Sequence, residues 1–131
     1  MANRREFLLG AGGAAATLAL VLGEAEAASK YTLVYISAAN CPNCSKFYYS
    51  GGLGNMKSLL ASKSVEYKSI DVRRFQNYSD DPFPSDLAWL KAHGVSRGAP
   101  RFVLISGNRI VKNVNGASKY NSQIRPLIEQ S

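Results

Sequence analysis

A small α/β domain is the fold class this sequence predicts: four strands in one mixed sheet flanked by helices, in the order β-α-β-α-β-β-α. Three observations predict it. Two β-branched and aromatic runs, residues 31–37 and 65–72, bracket a stretch of helical spacing, the pattern of a strand–helix–strand crossover. Two further apolar runs, residues 101–105 and 109–114, are joined by Gly107-Asn108, a strong hairpin signal. The chain of 131 residues is long enough for one domain and one modest core.

Residues 1–27 read as a cleaved export signal, which leaves 28–131 as the domain. Arg4 and Arg5 precede a soft Ala- and Gly-rich run, and Ala25-Glu26-Ala27 offers a small-x-small cleavage site. The apolar stretch is about 16 residues, short of the ~20 that span a bilayer. Arg4-Arg5 followed by Phe7-Leu8 resembles the twin-arginine export motif, with Asn3 where Ser or Thr is usual. A periplasmic location is therefore expected, by the twin-arginine route, with ordinary secretion as the alternative. Of 16 basic and 9 acidic residues, two and three fall in this leader, so 14 and 6 remain in the domain. That excess favours acidic protein partners. It does not favour nucleic acid, since the charge is dispersed and no base-stacking motif is present.

Taken in order, residues 31–37 form a strand buried on at least one face. Phe47, Tyr48, Met56, Leu59 and Leu60 mark a helical segment, broken where Gly51, Gly52 and Gly54 cluster. Residues 65–72 alternate as a second strand. Residues 73–85, with Asn, Ser, Asp and Pro, form a loop longer than most. Ser85 or Asp86 then caps a short helix through Leu87, Trp89 and Leu90 that ends at Gly94. After the hairpin, a last helix covers about 118–128, with Tyr120, Ile124, Leu127 and Ile128 on its apolar face. Pro126 sits inside it and predicts a kink or a local irregularity.

Cys41 and Cys44 are the only cysteines, too few for a disulfide scaffold. With a single histidine they also exclude a closed four-ligand Cys/His zinc site without carboxylates. Their C-x-x-C spacing falls where the first strand gives way to a helix. Pro42 suits the first helical position, where a missing N–H is harmless. Cys41 then faces unpaired backbone N–H groups and the positive end of the helix dipole, which favour a thiolate. Cys44, one turn on, is placed to attack a mixed disulfide on Cys41. A structural disulfide closing so short a loop constrains the unfolded chain little. Copper(I) held by the two thiolates is the alternative from another functional class.

From residue 31 to the end the sequence resembles a thioredoxin-fold thiol-disulfide oxidoreductase. Cys41-Pro42-Asn43-Cys44 carries the resemblance, with three further segments in the family's order. Residues 94–102, containing Pro100, resemble the segment holding the family's cis-proline. Residues 107–111 resemble the closing hairpin, and 114–119 the glycine before the last helix. The resemblance implies a minimal thioredoxin fold with Cys41 as nucleophile and Cys44 as resolving thiol. It implies a substrate segment lying on Pro42, Asn43, Ala99 and Pro100, adding as a strand to the Ala99 backbone. Three departures stand out. Asn40 replaces the tryptophan before the motif, and Tyr35 replaces the buried acid, so that no base faces the second cysteine. Asn43 replaces the Tyr or His of the Cys-Pro-x-Cys relatives, the glutaredoxins and disulfide-donating oxidases. The strand and helix that precede the motif in thioredoxin are not expected here.

Lys46, Arg97 and Arg101 either flank the sulfurs or are scattered solvated charge. His93 fits a helix-end role better than a catalytic one. Trp89 fits the core better than the substrate groove. The 73–85 loop, with Phe75, Tyr78 and Phe83, either recognises a partner or covers the sheet edge. The function expected is an exported, monomeric oxidoreductase that exchanges disulfides with protein substrates and needs no organic cofactor or metal. The neutral Asn43 and small Ala99 favour a reductant, which in the oxidising periplasm requires a membrane-embedded electron donor. A disulfide-donating oxidase is the alternative within that class.

Overall fold

The computed structural model describes residues 30–131. The expected leader, residues 1–27, lies outside the described residues.

β1 (Thr32–Ala38) lies inside a four-stranded sheet of order β2-β1-β3-β4, with β2 at Glu66–Val72, β3 at Arg101–Ser106 and β4 at Arg109–Asn115. β2 runs parallel to β1, pairing Thr32 with Glu66 through Ala38 with Val72. β3 runs antiparallel, Thr32 opposite Ile105 and Ile36 opposite Arg101. β3 and β4 form the expected hairpin across Gly107-Asn108, with a register shift at Leu104/Ile105. The α/β class and the four-stranded mixed sheet read from the sequence are the ones observed.

Strand side chains alternate between faces, and on β1 both faces are covered. Leu33 and Tyr35 pack on one side, Val34 and Ile36 on the other, none more than 4% exposed. The first side is roofed by α1 (Pro42–Tyr49), α2 (Gly52–Ser62) and the C-terminal helical segment α3 (residues 117–129). Its centre is aromatic: Phe102 stands 4.8 Å from Tyr120, 5.3 Å from Phe47 and 5.4 Å from Tyr35, ring centre to ring centre. These separations lie in the favourable range for aromatic pairs. The second side is roofed by a 3₁₀ helix (Ser85–His93) and by the segments on either side of it, through Tyr78, Leu87, Leu90 and Val95.

The glycine cluster breaks the first helical segment as expected. Gly51 takes φ 88° between α1 and α2. A Cβ on Gly52 would stand 2.6 Å from the Phe47 ring, so only glycine lets α2 start against that core residue. α3 is irregular as Pro126 predicts. It runs as Ala117–Lys119, a π turn at Tyr120–Ile124 and an α turn at Arg125–Glu129. Pro126 has no N–H for the i−4 carbonyl, and the Arg125 N–H reaches back five residues to the Tyr120 carbonyl.

One local expectation is corrected. Residues 85–93 are 3₁₀ rather than α, and neither Ser85 nor Asp86 caps them with its side chain. Pro84 occupies the cap position, and its carbonyl accepts from Leu87 N at 2.9 Å, the i+3 bond that starts a 3₁₀ turn. The Asp86 carboxylate instead accepts a close charge-assisted hydrogen bond from Lys68 on β2. His93 closes this helix: its ring Nδ1 lies 3.0 Å from the Trp89 carbonyl, which can only accept, so Nδ1 carries the proton.

Phe102 is fully buried at the centre of the aromatic group. Phe102→Ala is expected to lower unfolding free energy by about 3–5 kcal/mol, read as a lower denaturant midpoint at unchanged slope. A loss below about 1 kcal/mol would contradict that central role.

Candidate active site

β1 ends at Ala38, and the Ala39 N–H bonds the Val72 carbonyl at 3.0 Å, turning the chain at the carboxyl end of the parallel pair. Asn40 follows, and Cys41 is the N-cap of α1 with Pro42 at the first helical position. The cap is unusual in that its acceptor is sulfur: the Cys44 N–H points at Cys41 Sγ, with N and S 3.0 Å apart. Cys41 and Cys44 are joined as a disulfide, S–S 2.18 Å and Cα–Cα 5.2 Å. Both are buried, at 5% and 7% exposure, in a small cluster with Ala99, against which Ala38 and Phe75 pack. Pro42 and Asn43 are exposed.

Ala99 and Pro100 reach this cluster from the loop before β3, and the peptide bond between them is cis. The loop is bonded on both sides of Ala99. Gly98 N–H donates to the Phe75 carbonyl, and the Pro100 carbonyl accepts from Gly116 N at 2.8 Å. The Ala99 backbone has no hydrogen-bond partner among the described residues. Gly98 has φ 93°, and a Cβ there would stand 2.9 Å from Arg101 Nη2 and Asn115 Oδ1, so this close passage needs glycine. All six residues predicted for the site lie here: Cys41, Pro42, Asn43 and Cys44 on the first turn of α1, Ala99 and Pro100 beside it.

Two hollows lie along α1, and one of them reaches Cys44. A groove of about 380 Å³ runs between α1 and the start of α3, lined by Asn43, Lys46, Phe47, Ser50, Pro100 and Gly116–Ser118. On the other side a hollow of about 270 Å³ joins Cys44 to Tyr35, Ser37, Ser45 and the exposed pair Tyr48 and Tyr49. Tyr35 is raised to about 12, first by burial and then by Tyr67 and Asp71 nearby. It faces this hollow as a neutral phenol and is no base.

The charged candidates divide. Lys46 lines the groove. Arg101 instead braces the loop, donating from Nε to the Arg97 carbonyl and from Nη1 to Asn113 Oδ1, both at 2.7 Å. Trp89 packs on the opposite face of the sheet and its indole N–H donates to the Asp86 carbonyl at 3.2 Å, so it takes no part in the site. Among the described residues no three His, Cys, Asp or Glu side chains gather as a metal site.

Residues 73–85 belong to the site in a way that local pattern did not show. Phe75 touches the cysteine cluster. Its N–H donates to Asn40 Oδ1 at 3.2 Å, and Asn40 Nδ2 donates to Gln76 Oε1 at 3.2 Å. Tyr78, fully buried, donates its hydroxyl to the Gly98 carbonyl, and its N–H to the Ser96 carbonyl at 2.9 Å. Asp81 anchors the far end, accepting from Arg73 N–H at 3.3 Å and Nε at 3.1 Å. The one available signal was compositional: three aromatics in a polar loop.

Buried phenols make stability fall at high pH. Tyr35 and Tyr120 are raised from 10.0 to about 12, in each case chiefly by burial. An unfolded tyrosine releases its proton near pH 10, while these hold theirs to about 12. The unfolded state therefore binds fewer protons in that window, and stability is lost as pH rises from about 10 to about 12. Urea midpoints at pH 9 and 11 check this, and Tyr35→Phe should flatten the decline. An equal decline in that variant counts against the Tyr35 assignment.

No protein-family profile and no curated protein sequence matches the chain. Solved structures do. The thioredoxin of Fasciola hepatica is similar at 19% identity and TM-score 0.50, over 81% of this chain and 85% of that one. The periplasmic thioredoxin SoxS of Paracoccus pantotrophus is similar at 14% identity and TM-score 0.50, over 76% and 93%. The germline thioredoxin Deadhead of Drosophila melanogaster is similar at 17% identity and TM-score 0.50, over 83% and 86%. The chain has the thioredoxin fold, with a C-x-x-C disulfide at the N-terminus of its first helix.

Proposed function

We propose that this chain is an exported protein thiol-disulfide oxidoreductase that works as a monomer and as a reductant. The observation that carries the exchange reading is the seat of Cys41, a helix N-cap whose sulfur receives the Cys44 N–H. The same N–H and the dipole of α1 stabilise a thiolate there once the disulfide is reduced. Cys44 sits one turn on, already within bonding reach of Cys41.

The chemistry balances with two electrons and two protons. The Cys41 thiolate attacks one sulfur of a substrate disulfide, forming a mixed disulfide and releasing the other substrate sulfur as a thiol. Cys44 then loses its proton and attacks Cys41 Sγ. The second substrate thiol leaves, and the Cys41–Cys44 disulfide is re-formed. A substrate segment lying beside Pro100 meets the unpartnered Ala99 backbone and gains strand-type hydrogen bonds. Asn43 and Lys46 line the groove next to it, and Lys46 favours acidic sequences. Neither hollow needs a cofactor for this chemistry.

The reductant direction rests on Asn43. It is exposed and uncharged, so it stabilises the thiolate less than a cationic His would, and an extreme oxidant is disfavoured. Export rests on the leader. A periplasmic reductant needs electrons from a membrane-embedded donor, because that compartment is kept oxidising. SoxS, one of the similar folds, is itself a periplasmic thioredoxin.

Equilibration with glutathione or dithiothreitol gives the potential of the couple. A value near about −270 mV supports the reductant, and one near about −120 mV overturns it in favour of a disulfide donor. Insulin reduction should vanish in Cys41→Ser, and Cys44→Ser should accumulate a mixed disulfide on Cys41. Tight copper(I) binding at one equivalent without any insulin reduction would overturn the enzyme reading altogether.

A further inference from the structure

The geometry points to Asn40 as a positioning residue that holds Phe75 against the cysteine pair and thereby sets how open Cys41 is to solvent and to attack. The exchange chemistry uses neither residue. Asn40 immediately precedes the nucleophile, yet its side chain turns to the loop after β2. One amide accepts from the Phe75 N–H and donates to Gln76 Oε1, each at 3.2 Å. Phe75, its backbone so held, is the residue whose side chain packs against the cluster of Cys41, Cys44 and Ala99. The Phe75 carbonyl accepts from Gly98 N–H, so the same residue is tied to the segment carrying Ala99 and Pro100.

Asn40 is exposed and Phe75 half-buried, while Cys41 is only 5% exposed. An aromatic ring beside a sulfur withholds water and disfavours the charged thiolate. Removing the ring, or the amide that places it, opens Cys41 to water. The thiolate gains solvation, and the reduced state gains with it. The two substitutions therefore act in one direction, and they act through one contact.

The inference rests on Cys41 and Cys44 being the reacting pair, and its test needs no protein substrate, so it fails separately from the exchange reading. Two readouts are taken on the purified full chain. One is the rate of iodoacetamide alkylation of reduced Cys41, located by peptide mass spectrometry. The other is the equilibrium constant with glutathione.

Phe75→Ala and Asn40→Ala should each speed alkylation about threefold to tenfold and shift the equilibrium toward the reduced form by a similar factor, tenfold being about 30 mV. Asn40→Ala combined with Phe75→Ala should match Phe75→Ala alone, because Asn40 has nothing left to position. Gln76→Ala, which keeps the bond to the Phe75 N–H, should change both readouts less than Asn40→Ala does. Circular dichroism checks that each variant is folded, and Phe75→Leu, an apolar cover of smaller size, substitutes if the alanine variant unfolds. Multiplying effects in the double variant, slower alkylation, or an Asn40→Ala protein with unchanged readouts overturns the inference.

Discussion

The burial of β1 on both faces is the constraint from which the other elements take their places. Four successive side chains, Leu33 to Ile36, are all but removed from water. An inner strand whose hydrogen bonds are taken up on both edges, by β2 and β3, tolerates no slip, since a one-residue shift would exchange its two cores. This rigidity has a functional consequence. The strand ends two residues before Asn40, so the position of Cys41 is inherited from a strand paired on both edges and buried on both faces. Ala99 and Pro100 inherit theirs from β3, the neighbour of β1. The two halves of the site meet because β1 ends where its antiparallel neighbour β3 begins.

The site is then shaped by how little local structure it contains. Cys41 caps its own helix, so one atom is cap acceptor and reacting group together. An ionised sulfur is the better acceptor, because hydrogen bonds to charged groups are the stronger ones. Helix α1 is thus better capped when Cys41 is a thiolate, which couples redox state to the first turn of the helix. Pro42 reinforces this by removing a donor that would otherwise compete at that end.

Elements that depend on near neighbours in the chain were legible in the sequence. The crossover, the Gly107-Asn108 hairpin, the break at Gly51 and the irregularity around Pro126 follow from periodicity, turn chemistry and a missing N–H. The C-x-x-C pair was legible from its place where a strand gives way to a helix, whereas residues 99–100 were legible only through the family resemblance of residues 94–102. What was not legible depends on partners distant in sequence. Asp86 looked like a cap and is an ion-pair partner of Lys68, 18 residues away. Arg101 looked like a candidate for the sulfurs and braces Asn113. Asn40 was read only as a departure from tryptophan, yet its amide meets a loop 35 residues on. No periodicity encodes such pairings, because polar side chains find them only after the strands have set the register.

Tyr35 shows how one departure moves a burden elsewhere. On the exchange reading, release of substrate requires Cys44 to give up a proton before it attacks Cys41. A buried carboxylate at the Tyr35 position would accept that proton. A phenol held near 12 does not, since it is already protonated at any pH at which the protein works. The other residues lining that hollow, Ser37, Ser45, Tyr48 and Tyr49 among them, include no carboxylate and no histidine. The hollow is open enough for water, and it adjoins Cys44 directly. Solvent is therefore the acceptor this architecture provides, and the second exchange step depends on hydration of the hollow rather than on a tuned side chain. The closed, aromatic side of the disulfide at Phe75 and the open, hydroxyl-lined side at Cys44 then have distinct roles. One limits attack on the nucleophile, and the other lets the resolving thiol lose its proton.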